Sequence, residues 1–75
     1  MDEINKAIAD ELSDVVKYMD MAHDCEHGSI LKDIAAEEMQ HARNLQGILE
    51  MEGKPVPDMA EQWKAARMAL YGGLS

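Results

Sequence analysis

The sequence is poor in several residue types that many folds and functions depend on. It has one cysteine, two prolines, no phenylalanine and 4 % aromatic residues. A single cysteine excludes an intrachain disulfide and indicates a reducing setting. The seven basic residues face 15 acidic ones, for a net charge of -8, which leaves too few Lys and Arg to neutralise the phosphates of nucleic acid or an anionic membrane. No apolar run approaches the roughly 18 residues of a membrane span, and the first residues lack a secretory pattern. We expect a soluble, cytoplasmic protein with no nucleic-acid or membrane partner.

The residues that are abundant favour helices. The composition is 47 % hydrophobic, mostly aliphatic residues, alanine and methionine, and it is rich in glutamate. A chain of 75 residues forms one domain, here 1–75, and at this size it buries only about 60 % of the surface its unfolded form exposes. We therefore expect an all-α protein that associates with itself.

Apolar periodicity and turn residues predict three helices, at about 2–24, 30–52 and 58–71. Between the first two, Gly28 is expected to adopt a left-handed conformation and Ser29 to cap the second helix. Gly53 and the prolines after it end the second helix, and Asp58 is expected to cap the third. The prediction is an antiparallel helical hairpin followed by a short third helix.

Both long helices carry polar residues within an apolar stripe. On the first helix the stripe is Ile4, Ile8, Glu11, Val15, Tyr18, Ala22 and Cys25. On the second helix it is Leu31, Ile34, Glu38, His41, Leu45 and Ile48. Each helix also has a neighbouring second stripe, formed by Leu12, Val16 and Met19 on the first and by Ala35, Met39, Ala42 and Leu49 on the second. Because an unpaired carboxylate or imidazole is costly to bury, the polar residues of facing stripes need a common partner.

The spacing of Glu11, Glu38 and His41 fits one metal site. If the hairpin turns near Glu26, then Glu11 and His41 are equally far from the turn and lie at the same level. Glu38 precedes His41 by three residues, so both side chains lie on one helix face. Mixed carboxylate and imidazole ligands suit iron or manganese better than a thiolate-rich zinc site. We predict that these three residues bind a metal.

At these residues the chain resembles the ferritin-like superfamily, in particular rubrerythrins and encapsulated ferritins. Rubrerythrin-type helices carry Glu-x6-Tyr and Glu-x-x-His-Ala, which appear here as Glu11 to Tyr18 and Glu38 to Ala42. The resemblance covers roughly 8–50. It implies a half-bundle whose two copies assemble a ferritin-like four-helix bundle with a di-iron site between the subunits.

The resemblance also implies an activity. Two irons per dimer, bound by Glu11, Glu38 and His41 of each subunit, would be oxidised by oxygen or peroxide in a ferroxidase-like reaction. Tyr18 would hydrogen-bond a ligand carboxylate and so join the catalytic residues. Encapsulated ferritins imply an encapsulin shell as partner, but the tail 70–75 does not match a targeting peptide. Manganese or zinc in place of iron remains an alternative.

Other interpretations remain open from the sequence. The three polar residues could face solvent, leaving a catalytically silent helical dimer or adaptor. His23, Cys25 and His27 could form an accessory metal site, although two histidines near a helix C-terminus also complement its dipole, and Cys25 fits a small core position. We expect the remaining acidic residues of this region to be solvated or to line an iron entry path, namely Asp10, Asp14 and Glu37.

Overall fold

Three α-helices make up the fold in the computed structural model, which describes residues 3–72. The helices are α1 (Glu3–His23), α2 (Gly28–Met51) and α3 (Ala60–Tyr71). The described residues contain no strand, so the predicted all-α class is confirmed. Within the same residues, no helix combines the length and apolarity needed to cross a membrane. The helix bounds lie within two residues of the predicted ones.

The core lies mainly between α1 and α2, and α3 closes one side of it. Its buried residues are Ile8, Leu12, Val15, Met19, Ala35, Met39, Ala42, Leu49, Ala66 and Leu70. Ala35 and Ala42 are fully buried, and their small side chains let α1 approach α2 closely. On α3, Ala66 and Leu70 are buried, and Met59 and Trp63 pack against the core. The short third helix therefore persists through packing rather than through its own propensity.

The expectation that the stripe of Glu38 and His41 faces the interior is wrong in part. Ala35, Met39, Ala42 and Leu49, the second stripe of α2, are the buried residues, whereas the stripe of Glu38 is half-buried and His41 is exposed. The physical reason is that α3 packs on the second-stripe side of the hairpin, so its buried residues and those of the second stripe belong to the same core. The stripe of Glu38 and His41 consequently lies at the edge of the hairpin interface.

The connection between α1 and α2 also differs from the prediction. Helix α2 begins at Gly28 with His27 at the N-cap position, so Ser29 is not the cap. Gly28 does not have a positive φ. Instead, a Cβ atom at Gly28 would lie 2.7 Å from the carbonyl oxygen of Ala22, so glycine allows the chain to pass close to the end of α1. Cys25 lies in this connection and is exposed, so it is not a core residue.

The end of α2 follows the prediction at Gly53. Gly53 has a φ of 67°, the left-handed region that favours glycine. Its N–H donates to the Glu50 carbonyl at 3.1 Å, and the N–H of Lys54 donates to the Leu49 carbonyl at 2.9 Å. This pair of bonds is the Schellman arrangement, which satisfies carbonyl groups left open at the helix end. Helix α3 begins two residues later than predicted, and its N-cap position is Met59 rather than Asp58. The Asp58 carboxylate, one residue earlier, accepts a hydrogen bond from the Ala60 N–H at 3.3 Å.

Candidate metal centre

Glu11, Glu38 and His41 meet at the edge of the interface between α1 and α2. The Nδ1 atom of His41 lies 2.9 Å from Glu11 Oε2 and 3.1 Å from Glu38 Oε1. One ligand atom from each of the three residues lies within 4.8 Å of the other two. A hydrogen bond at these distances requires a proton, held either by Nδ1 or by a protonated carboxyl group. A cation that replaced this proton would contact two oxygens and one nitrogen.

The helical hairpin itself positions these side chains. Glu11 and His41 are 30 positions apart in sequence, yet they touch because α1 and α2 run antiparallel from a short connection. Glu38 and His41 are separated by three residues, which places them on one face of α2. The antiparallel level match and the three-residue spacing predicted from the sequence are therefore both present in the structure.

The cluster lies on the side of the hairpin that faces away from α3. On α1, Glu11 is about 160° round the helix from Ala9, which lines the groove between α1 and α3. On α2, His41 is likewise about 160° from Arg43, which lines the groove between α2 and α3. Helix α3 thus leaves the cluster uncovered, and the His41 side chain is 56 % exposed.

The two glutamates are far less exposed than the histidine. The side chains of Glu11 and Glu38 are 21 % and 17 % exposed. Burial raises the pKa of Glu38, and the nearby carboxylates of Glu11 and Asp14 raise it further. A carboxylate in this position favours either a proton or a bound cation. The electrostatics of the cluster therefore favour a positive ligand.

Asp14 is the residue near this cluster that the metal-site prediction did not include. It acts on the pKa of Glu38 both by its charge and by hydrogen bonding, and its Oδ1 atom lies 3.3 Å from Lys17 Nζ. One signal in the sequence could have identified it. Asp14 follows Glu11 by three residues, the same spacing that relates His41 to Glu38.

Half-buried apolar side chains border the cluster on both helices. They include Ile4 and Tyr18 on α1 and Ile34, Leu45 and Ile48 on α2. Ile4, Tyr18 and Leu45 pack against the core with one side and leave the other side accessible. The polar cluster therefore lies within an apolar surface rather than within a fully solvated one.

The other predicted candidates are not joined to this cluster. The Tyr18 ring packs against the core and lies 5.0 Å from Lys17 Nζ, but within residues 3–72 its hydroxyl makes no hydrogen bond to Glu11 or Glu38. His27 lies 3.7 Å from Glu26 Oε1 in the connection, and the backbone N–H of His27 donates to Cys25 Sγ at 3.3 Å. Across the described part of the chain, His23, Cys25 and His27 form no group with metal-ligand proximity.

Comparisons with known proteins give no relative for this chain. It matches no protein-family model, no curated protein and no solved structure.

Proposed function

We propose that this chain is one half of a di-iron carboxylate protein that oxidises Fe(II). Two copies would pack their α1–α2 hairpins into a ferritin-like four-helix bundle, with two irons bound between them by Glu11, Glu38 and His41 of each copy. The observation that carries this proposal is the convergence of these three side chains, from two helices, with ligand atoms within 4.8 Å.

The donor set fits iron in both ligand type and charge. Carboxylate oxygens and imidazole nitrogen are ligands that Fe(II) accepts, and the cluster contains no thiolate that would favour zinc. Two copies of the cluster contribute four carboxylates, whose charge matches two divalent cations. Without a cation the carboxylates repel one another, in agreement with the raised pKa of Glu38.

The position of the cluster supports a second copy as the missing half. Two carboxylates and one imidazole leave metal coordination positions that a single chain does not fill. The cluster lies away from α3 and within an apolar border that includes Ile34 and Leu45. A two-fold axis through this surface would cover the border and bring the two clusters together. Four helices would then surround the site, as in di-iron bundles.

The reaction that such a site supports is a paired oxidation. Two Fe(II) ions each lose one electron, and hydrogen peroxide takes up both electrons with two protons to give two molecules of water. With oxygen as oxidant, the same two electrons and two protons give hydrogen peroxide. The chain's part is to hold the two ions close together and to let the carboxylates balance the charge that builds up on oxidation.

An anaerobic Fe(II) titration read by native mass spectrometry tests this proposal. We expect two irons per dimer, and air exposure should then produce a ferric absorbance band. Glu38→Gln should abolish uptake, whereas the matched variant Glu37→Gln removes the same charge from the exposed neighbouring position and should keep it. A dimer that takes up no iron would leave a catalytically silent helical module as the better account. Equal loss of uptake in the two variants would refute Glu38 as a specific metal ligand. Uptake of Mn(II) in preference to Fe(II), against the usual order of affinities, would favour the alternative in which the site holds another metal and carries out no iron redox chemistry.

A further inference from the structure

The groove between α2 and α3 lies on the side of the hairpin opposite the cluster of Glu11, Glu38 and His41. It is lined by Arg43, Gln46, Ala60, Trp63 and Arg67. These residues include both arginines and the single tryptophan of the chain. A protein with a net charge of -8 thus places its two guanidinium groups along one groove.

Neither arginine has an acidic partner. On a helix surface the side chains three and four positions away are the usual ion-pair partners. For Arg43 these are Met39, Gln40, Gln46 and Gly47, and for Arg67 they are Trp63, Lys64, Leu70 and Tyr71. None of them is acidic, and Lys64 adds a further positive charge. Within residues 3–72, the ion pairs of the structure also leave both arginines without a carboxylate.

We propose that this groove binds a phosphate-class oxyanion between Arg43 and Arg67, beside the ring of Trp63. Guanidinium groups present planar forks of N–H donors that match phosphate oxygens in pairs, and a dianion balances two guanidinium charges. The groove has a volume of about 460 Å³, within the range of about 300–1,000 Å³ typical of small-molecule sites. The large negative charge of the rest of the chain repels long polyanions, so the ligand is a small anion rather than a nucleic acid.

Trp63 gives a direct readout of this site, because its fluorescence is the only tryptophan signal of the protein. Metal-free protein is titrated with inorganic phosphate, with chloride at equal ionic strength as the reference. We expect a saturable change with phosphate only. Arg43→Gln and Arg67→Gln should each weaken phosphate binding roughly ten- to a hundredfold, the usual effect of removing a charge-assisted contact. Lys6→Gln, which removes one exposed positive charge from α1, should leave the dissociation constant unchanged.

Each outcome decides the proposal. An equal response to chloride, unaltered phosphate affinity in both arginine variants, or an equal loss in Lys6→Gln would overturn it. The proposal would also be overturned if the protein shows no response to phosphate and the arginine variants change its subunit number. The groove would then be a contact between copies of the chain. Phenyl phosphate distinguishes the sources of the anion. Tighter binding than inorganic phosphate identifies an organic phosphate that contacts Trp63, and equal binding identifies free phosphate.

Discussion

Replacing Glu38 with glutamine is expected to stabilise the metal-free protein while abolishing iron binding. The Glu38 side chain is only 17 % exposed, and burial together with the carboxylates of Glu11 and Asp14 raises its pKa. Glutamine keeps the shape of the side chain and removes the unfavourable charge. Because stability and metal binding are expected to change in opposite directions, loss of a ligand cannot be mistaken for misfolding.

The size of the stability gain follows from the geometry of the cluster. The carboxylate oxygens of Glu11 and Glu38 lie within 4.8 Å of each other, and two charges at that limit repel by about 1 kcal/mol in a water-like dielectric and about 3 kcal/mol at the effective dielectric of a protein surface. The hydrogen bonds of His41 Nδ1, 2.9 Å long to Glu11 and 3.1 Å long to Glu38, offset part of this repulsion. We therefore expect Glu38→Gln to raise the free energy of unfolding by about 1 kcal/mol near neutral pH.

The gain should depend on pH in a defined direction. The pKa of Glu38 is higher in the folded than in the unfolded chain, so its protonated form contributes stability that is fully present at low pH. That stability is lost as the pH rises through the folded-state pKa. The difference between Glu38→Gln and wild type should consequently be close to zero below about pH 4 and grow as the pH increases.

Urea unfolding in the presence of a chelator, at fixed protein concentration and several pH values, measures this difference. Glu37→Gln is the matched control, because Glu37 is exposed and lies next to Glu38 on the same helix. A change at such a surface position is usually within about 0.5 kcal/mol. Equal gains in the two variants, or a loss of stability in Glu38→Gln that grows with pH, would refute the proposed repulsion between carboxylates.

Three further predictions follow from the packing and the cluster. Gly28→Ala should lower the free energy of unfolding by about 1–3 kcal/mol, because its Cβ would lie 2.7 Å from a backbone carbonyl oxygen. Gly47→Ala, whose Cβ would have nothing within 4 Å, should raise it by about 0.5–1 kcal/mol. Thermal unfolding of the two variants measures both changes. Leu45→Asp on the cluster face should shift the protein to monomers in native mass spectrometry, and Met68→Asp, at an exposed position on α3, should not. Iron binding should displace the proton that the raised pKa of Glu38 favours, so Fe(II) affinity should rise with pH. Iron uptake in a weakly buffered solution measures this proton release.

The sequence was sufficient for the features that depend on local chemistry. Gly53 followed by proline predicted the end of α2, and the structure shows the left-handed φ of 67° that makes glycine suitable there. The spacing of Glu11 and His41 about the turn predicted their contact, because helical rise alone fixes the level of two residues in an antiparallel pair. These features do not depend on how the helices are rotated against one another.

The features that the sequence did not predict depend on that rotation. Both helices carry two adjacent apolar stripes, and periodicity cannot tell which stripe is central. The structure buries Ala35, Met39 and Ala42, so Glu38 lies at the edge of the interface, where Asp14 also acts on it. The requirement for glycine at position 28 likewise depends on tertiary structure, because a side chain there would collide with the end of α1.

The placement of Glu38 is difficult to explain by the stability of a single chain. An exposed pair between His41 and a glutamate contributes at most about 1 kcal/mol, and His41 is 56 % exposed. Against this gain stands the repulsion between Glu38 and Glu11, held within 4.8 Å. An apolar side chain at position 38 would extend the stripe of Ile34 and Leu45 and avoid that repulsion. The cluster therefore lowers the stability of the isolated hairpin, and a bound cation would restore it. This is the pattern expected where a site serves function rather than folding.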